Sequence, residues 1–286
     1  MPKVAISKKL CWVVVICVLA MGLFSGCSSK ETPVESTPPE EPEYVEIPKM
    51  TDDLIAEDEE SGLAVHYLPE GYAILESAGQ AALLGGCSDA DVSAVTDALK
   101  ELGIERLTHI VVPNGDQSRW SGIAAIRETF GENLVIVSRI SGSDAYEQFK
   151  ASIGNMLISV GAGSSFNVGT ETVQIFGPEV ETTDSVWDSS LILWTSCGED
   201  SFFFSDDASE QEIKAVFASN PDLTATYTFL NSRGESTLPY SAIKQLASNG
   251  LIVADNAVLP DFGSVTPSNL HPLDGELYSI CVGPAN

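Results

Sequence analysis

Ile110-Val-Val-Pro-Asn114-Gly-Asp116-Gln-Ser118-Arg119-Trp-Ser-Gly122-Ile123 is the stretch on which the reading of this chain turns. An apolar run ends in a short polar loop, and Ser-Gly then opens a helical pattern. That is the outline of a metal-binding turn, with a strand as mount and a loop as donor. The donors themselves are wrong. The loop presents Asn114, Asp116, Ser118 and Arg119 and contains no histidine. The frame is that of a metal site, and the side chains are not.

Upstream, Leu63-Ala-Val-His-Tyr67, Tyr72–Leu75 and Ala81–Leu84 have strand composition, and Gly85-Gly86 closes the third. Asp89 is placed to cap a helix running to Leu102, with Val92, Val95, Leu99 and Leu102 on one face and Gly103 as its stop. A strand Leu107–Val112, a helix Trp120–Phe130, a strand Leu134–Ser138 and a helix Asp144–Ile153 follow. The second half predicts strands near Met156–Val160, Thr172–Phe176, Ser190–Ser196 and Phe202–Phe204, then a helix Ala208–Ala218 and a strand Thr224–Leu230. A helix Tyr240–Ser248 and strands Leu251–Ala254 and Glu276–Val282 close the chain. Strands followed by helices in each half imply an α/β fold with two sheets inside and helices outside.

The first 26 residues stand apart. Lys3, Lys8 and Lys9 precede an apolar run from Leu10 to Phe24, too short for a comfortable membrane span and suited to a signal-peptide core. Phe24-Ser25-Gly26-Cys27 resembles a bacterial lipobox, which makes Cys27 the expected lipidation site. Residues 27–60 carry Pro33, Pro38, Pro39, Pro42 and Pro48 among many Glu, a Pro/Glu-rich tether with too few apolar residues for a core. Residues 61–286 form the expected folded domain, held by the lipid at the outer face of the cytoplasmic membrane.

The net charge of −27 disfavours nucleic acid and anionic headgroups as partners. Its plainest role is a solvated, soluble surface. Apart from the leader cysteines and Cys27, only Cys87, Cys197 and Cys281 remain, an odd number without C-x-x-C spacing. They are expected as buried small hydrophobes rather than as a disulfide framework or zinc site.

The order of elements and motifs resembles the metallo-β-lactamase superfamily, most closely the hydrolase-like domain attached to competence (DNA-uptake) membrane proteins. The resemblance covers about residues 61–283. The family's V-x-F-L-x-V-G-Q-G-D-A-I-L-I hairpin is met by Val65-His-Tyr-Leu-Pro-Glu70-Gly71-Tyr72-Ala73-Ile74-Leu75. Its L-L-I-D-G-G is met by Ala82-Leu83-Leu84-Gly85-Gly86, with no Asp. Ser190-Leu-Ile-Leu and Phe202-Phe-Phe-Ser-Asp206-Asp207 match N-x-x-S-L-V-L and F-L-L-T-G-D, which puts the metal-bridging aspartate at Asp207. The resemblance implies a four-layer αββα sandwich and, in the family, a zinc site that generates hydroxide from bound water.

The ligand positions of H-x-H-x-D-H fall on Asn114, Asp116, Ser118 and Arg119, and the later histidine falls on Asn231. His109 follows Thr108 as the family's first histidine does, yet it reads as a strand residue. The expected outcome is a domain without the family's zinc, in which Arg119 bridges Asp116 and Asp207 in place of the metal's charge. Its role would be binding or scaffolding, with an unidentified protein or small molecule as partner. The alternative is an active, phosphodiesterase-like hydrolase with an atypical metal site at Asp116, Asp207 and Asn231. A solute-binding lipoprotein is a third reading, and it requires a deep aromatic-lined pocket. By the resemblance, Trp120 and Trp187 lie on loops that surround the active site in the family, where such a pocket would open. Ser241-Ala-Ile-Lys244 spells S-x-x-K but lacks the K-T-G and S-D-N partners of a serine β-lactamase.

Overall fold

Fourteen short strands among the described residues account for the frame, and in most of them the apolar residues alternate between two buried faces. In this computed structural model the described residues are 62–233, 238–246, 248–263 and 266–283, all within one unit, Pro42–Asn286. The leader, Cys27 and the tether lie outside them. The first strands are β1 (Leu63–Tyr67), β2 (Ala73–Ser77), β3 (Gln80–Leu84), β4 (His109–Val112), β5 (Leu134–Ser138) and β6 (Leu157–Val160). The second half contributes β7 (Ser165–Val168), β8 (Glu171–Gly177), β9 (Ile192–Cys197), β10 (Asp200–Phe204), β11 (Tyr227–Leu230), β12 (Gly250–Val253), β13 (Leu270–Pro272) and β14 (Tyr278–Val282).

They form two seven-stranded sheets, ordered β14-β1-β2-β3-β4-β5-β6 and β13-β12-β11-β10-β9-β8-β7. The two sheets share one plan. Four strands run antiparallel, β14-β1-β2-β3 in one and β7-β8-β9-β10 in the other. Three parallel strands then extend each sheet, β4-β5-β6 and β11-β12-β13. β14 returns from the end of the domain to pair with β1.

The helices are α1 (Val92–Glu101), α2 (Gln117–Trp120), α3 (Ile123–Phe130), α4 (Asp144–Ile153), α5 (Glu210–Ser219) and α6 (Tyr240–Leu246). Three apolar layers tie them to the sheets. Leu63, Val65, Leu75 and Val111 meet Phe166, Val173, Phe202 and Phe229 between the sheets. Ile74, Leu83, Ile110 and Val135 face out and are covered by Val95, Leu99, Ile126 and Phe149 of α1, α3 and α4. Phe203, Leu230 and Leu251 are covered by Ile213, Val216, Ile243 and Leu246 of α5 and α6. The result is the four-layer αββα sandwich. Each fully buried aliphatic side chain contributes about 1.5–3 kcal/mol.

Local details differ from the sequence reading. Ser88, not Asp89, supplies the cap ahead of α1: its hydroxyl accepts from the Asp91 amide at 3.2 Å. The helix expected over Trp120–Phe130 is broken at Gly122, where a Cβ would stand 2.5 Å from the Ser88 carbonyl oxygen. β7 and β13 were not anticipated. β7 buries only Phe166 and Val168, and β13 has three residues. Cys87 and Cys197 are buried as expected, but Cys281 is exposed on β14, an outer strand of its sheet. Ser241 and Lys244 are exposed on α6, where the Lys244 ammonium sits 4.3 Å from the Tyr240 ring centre.

Candidate functional site: a buried arginine between two carboxylates

The Asn114–Arg119 turn leaves the end of β4 and is fixed from both sides. The Pro113 carbonyl accepts from the Leu191 amide at 2.8 Å. Asn114 is buried, donates to Ser190 Oγ at 2.8 Å and accepts from the Asp116 amide at 3.0 Å. Asp116 caps α2: its Oδ1 accepts from the Ser118 amide at 2.9 Å and from Ser118 Oγ at 2.5 Å. Asp116 and Ser118 therefore satisfy each other within the turn.

Gly85-Gly86 closes over this turn. A Cβ on Gly86 would lie 1.8 Å from the Arg119 carbonyl oxygen, and its φ is +73°, so only glycine permits the approach. The Cys87 amide donates to that oxygen at 2.9 Å, and the Gly122 amide donates to the Cys87 carbonyl at 3.0 Å. The two loops are laced together, and the Arg119 side chain is driven inward.

Arg119 is 0% exposed. Its Nε donates to Asp207 Oδ2 at 2.7 Å, and one terminal nitrogen contacts the same oxygen at 2.5 Å. The other lies 3.5 Å from Asp206 Oδ1 and 3.5 Å from the Gly85 carbonyl oxygen. Both aspartates follow β10 and are buried. Asp206 has a φ of +44°, a left-handed turn that directs two successive carboxylates inward. Asn231, at the end of β11, donates to Asp206 Oδ1 at 2.7 Å and to the Gly71 carbonyl at 3.0 Å. Asp207 Oδ1 accepts from the Arg233 amide at 2.7 Å and from Ser232 Oγ at 3.3 Å.

Charge is balanced by contact rather than by solvent. Burial works against the Arg119 charge, but Asp207 and then Asp206 outweigh it and hold the guanidinium above its ordinary pKa. Burial pushes Asp206 up to about 6, opposed by Arg119 and reinforced by the Asp207 charge. A second cationic cluster adjoins the first. Tyr72 donates to Asp91 Oδ2 at 2.7 Å, and Arg233 donates to the same oxygen at 3.0 Å and to the Tyr72 hydroxyl at 3.1 Å. The Arg233 guanidinium also lies 4.7 Å from the centre of the Tyr72 ring. Burial opposes the Asp91 charge, yet the bonds from Tyr72, Ser88 and Arg233 hold its pKa below the ordinary value.

The expected site is thus gathered in part. Arg119, Asp207 and Asn231 meet. Asp116 does not join them: it shares no hydrogen bond or ion pair with Asp206, Asp207 or Asn231, because its own turn holds the carboxylate through Oδ1. Asp206 occupies the place expected for Asp116 as the second acid on Arg119. The sequence reading missed Asp206, Tyr72, Asp91 and Arg233. An Asp-Asp pair directly after a strand was the available signal for Asp206.

The donor set does not fit zinc. Arg119 cannot lose its proton and cannot ligate, and it occupies the carboxylates a metal would need. Among the described residues no three His, Cys, Asp or Glu side chains group around a possible metal position. His109 lies buried on β4, 3.0 Å from Thr108 Oγ1, and burial lowers its pKa to about 4. His66 is buried on β1, with Nδ1 2.7 Å from Ser279 Oγ. His271 is exposed on β13.

No protein-family model matches the sequence, and no curated protein matches it either. Solved structures do. YhfI from Bacillus subtilis, a metallo-β-lactamase fold protein, superposes with a TM-score of 0.52 at 10% identity, over 76% of this chain and 100% of YhfI. A mutant of the β-hydroxylase CmlA superposes with a TM-score of 0.50 at 12% identity, over 76% of this chain. That match spans 53% of the hydroxylase's own length. Identities this low establish the fold and nothing finer. The sheet plan, the four layers and these superpositions together give this chain the metallo-β-lactamase fold.

Proposed function

We propose that the domain binds a ligand or partner rather than hydrolysing one, and that it works without zinc at the outer face of the cytoplasmic membrane. The observation that carries this reading is the buried Arg119, which takes the carboxylate of Asp207 and reaches that of Asp206. A hydrolase of this fold needs those groups free to hold a metal that activates water. Here the positive charge is covalently part of the chain and cannot polarise water as a metal does. Lipidation at Cys27 and a Pro/Glu-rich tether over residues 27–60 would place the domain outside the membrane. The acidic balance of the chain argues for a protein or small-molecule partner and against nucleic acid.

The test is hydrolysis of a phosphodiester probe, bis(p-nitrophenyl) phosphate, by the purified protein supplied with zinc or manganese. No turnover above the metal-only rate is expected. Metal-dependent turnover lost in Asp207→Ala would overturn the reading and restore a hydrolase. Fractionation of cells expressing Cys27→Ala tests the anchor, which requires the substituted protein to leave the membrane fraction.

A further inference from the structure

A cleft of about 640 Å³ opens on the outer side of the Asn114–Arg119 turn, a size that suits a small molecule. Trp120, Tyr146, Asp116, Asp184 and Ser189 are among its lining residues. Its aromatic wall is built in advance. Trp120 Nε1 donates to the Gly115 carbonyl at 3.1 Å, which fixes the indole. The indole stacks on Phe149 at 5.3 Å and 25°, and Phe149 stacks on Tyr146 at 5.9 Å and 18°. Trp120 remains half-buried, so part of its ring borders the cleft.

The charged lining has one sign. Asp116 and Asp184 are its ionisable acids, and no Lys, Arg or His is among its described lining residues. Asp116 uses Oδ1 on Ser118 and leaves Oδ2 uncommitted. Asp184 is exposed, and among the described residues no hydrogen bond or ion pair takes its carboxylate. Thr183 Oγ1 donates to Asp188 at 3.2 Å and accepts from the Ser185 amide at 3.0 Å. A rigid indole beside two carboxylates is the chemistry that receives an ammonium group; the Lys150 ammonium, 5.0 Å from the Tyr146 ring centre, is itself tied to Glu147 at 2.8 Å. An anion would be repelled, and two carboxylates favour a charged donor over a neutral one, because a hydrogen bond between ionised partners is the stronger. The net charge of −27 further concentrates cations near the surface.

We infer that this cleft binds a small organic ammonium ligand, seated on Trp120 and countered by Asp116 and Asp184. The inference rests on the binding role proposed above and names its ligand class. Trp187, the other tryptophan expected near such a pocket, is not among the residues lining this cleft.

The test is calorimetric titration of the full chain in detergent with choline and with spermidine, using glucose and acetate as controls, on samples whose metal content is measured first. Saturable binding of choline or spermidine is expected, weakened by added salt. Asp184→Asn removes an exposed charge and should weaken binding roughly two- to fivefold. Trp120→Ala should abolish it, and Trp120→Phe, which keeps an aromatic wall, should retain part of it. Failure of both cations to saturate would overturn the inference. So would binding unchanged in Asp184→Asn and Trp120→Phe, or saturation by glucose in their place. Metal-free samples that bind neither cation sink this inference alone, whereas stoichiometric zinc sinks the metal-free reading on which it rests.

Discussion

Arg119 and Asp207 form an ion pair with both side chains shut away from water, Nε 2.7 Å from Oδ2. They come from opposite halves of the sandwich, Arg119 from the turn after β4 and Asp207 from the turn after β10. Removing one charge leaves the other stranded. Arg119→Ala should destabilise the domain by about 3–5 kcal/mol, measured by urea unfolding. Arg119→Met combined with Asp206→Asn and Asp207→Asn should recover much of that loss, because no buried charge is then left alone. If Arg119→Ala unfolds at the native midpoint, the pair is not what holds these loops together.

Gly86 and Gly103 separate backbone strain from collision. Both have positive φ, +73° and +75°, but a Cβ on Gly86 meets the Arg119 carbonyl at 1.8 Å and one on Gly103 meets nothing within 4 Å. Gly103→Ala should therefore cost about 1 kcal/mol from strain alone. Gly86→Ala should cost clearly more, on the order of 3 kcal/mol or above. Thermal unfolding of the two variants side by side checks this, and equal losses would contradict the close approach of the two loops.

Asp206 gives the pair a pH signature. Its carboxyl is pushed up to about 6 by burial, above its unfolded value near 3.8. A group with a raised folded pKa contributes stability that is fully present below the unfolded pKa and lost as pH rises through the folded pKa. The unfolding free energy of the wild type minus that of Asp206→Asn should thus fall between about pH 4 and pH 6 and level off above. The size is on the order of 1–3 kcal/mol. A flat difference across that range would mean that Asp206 holds no proton there.

Asp116 behaves as a helix cap in this structure. Asp116→Asn should change stability little, since Asn caps as well, and Asp116→Ala should cost about 1 kcal/mol. Neither should alter metal content. A large effect of Asp116→Asn on metal binding would return the residue to the ligand role.

Most of the frame was legible because buried strands and amphipathic helices write their faces into the sequence. β4 and β5 are nearly continuous apolar runs, and α1 shows its face through Val95 and Leu99. β7 was not legible, because only Phe166 and Val168 turn inward and both its neighbours are polar. β13 was not, because three residues carry no period and its pairing with β12 alone makes it a strand. At the site, matching motifs found Arg119, Asp207 and Asn231 but put Asp116 where Asp206 belongs. The Asp116-Gln-Ser118 capping pattern was a local signal that one Asp116 oxygen was already held within the turn. The left-handed turn at Asp206 leaves no mark in composition. Nor could sequence join Tyr72, Asp91 and Arg233, since their contacts span up to 161 positions.

Whether Arg119 has replaced the metal is decided by the metal content of the purified protein after incubation with excess zinc, manganese or iron and removal of free metal. No stoichiometric metal is expected in the wild type, because Arg119 already fills the place between Asp206 and Asp207. Tightly held stoichiometric metal, lost in Asp207→Ala, would contradict it.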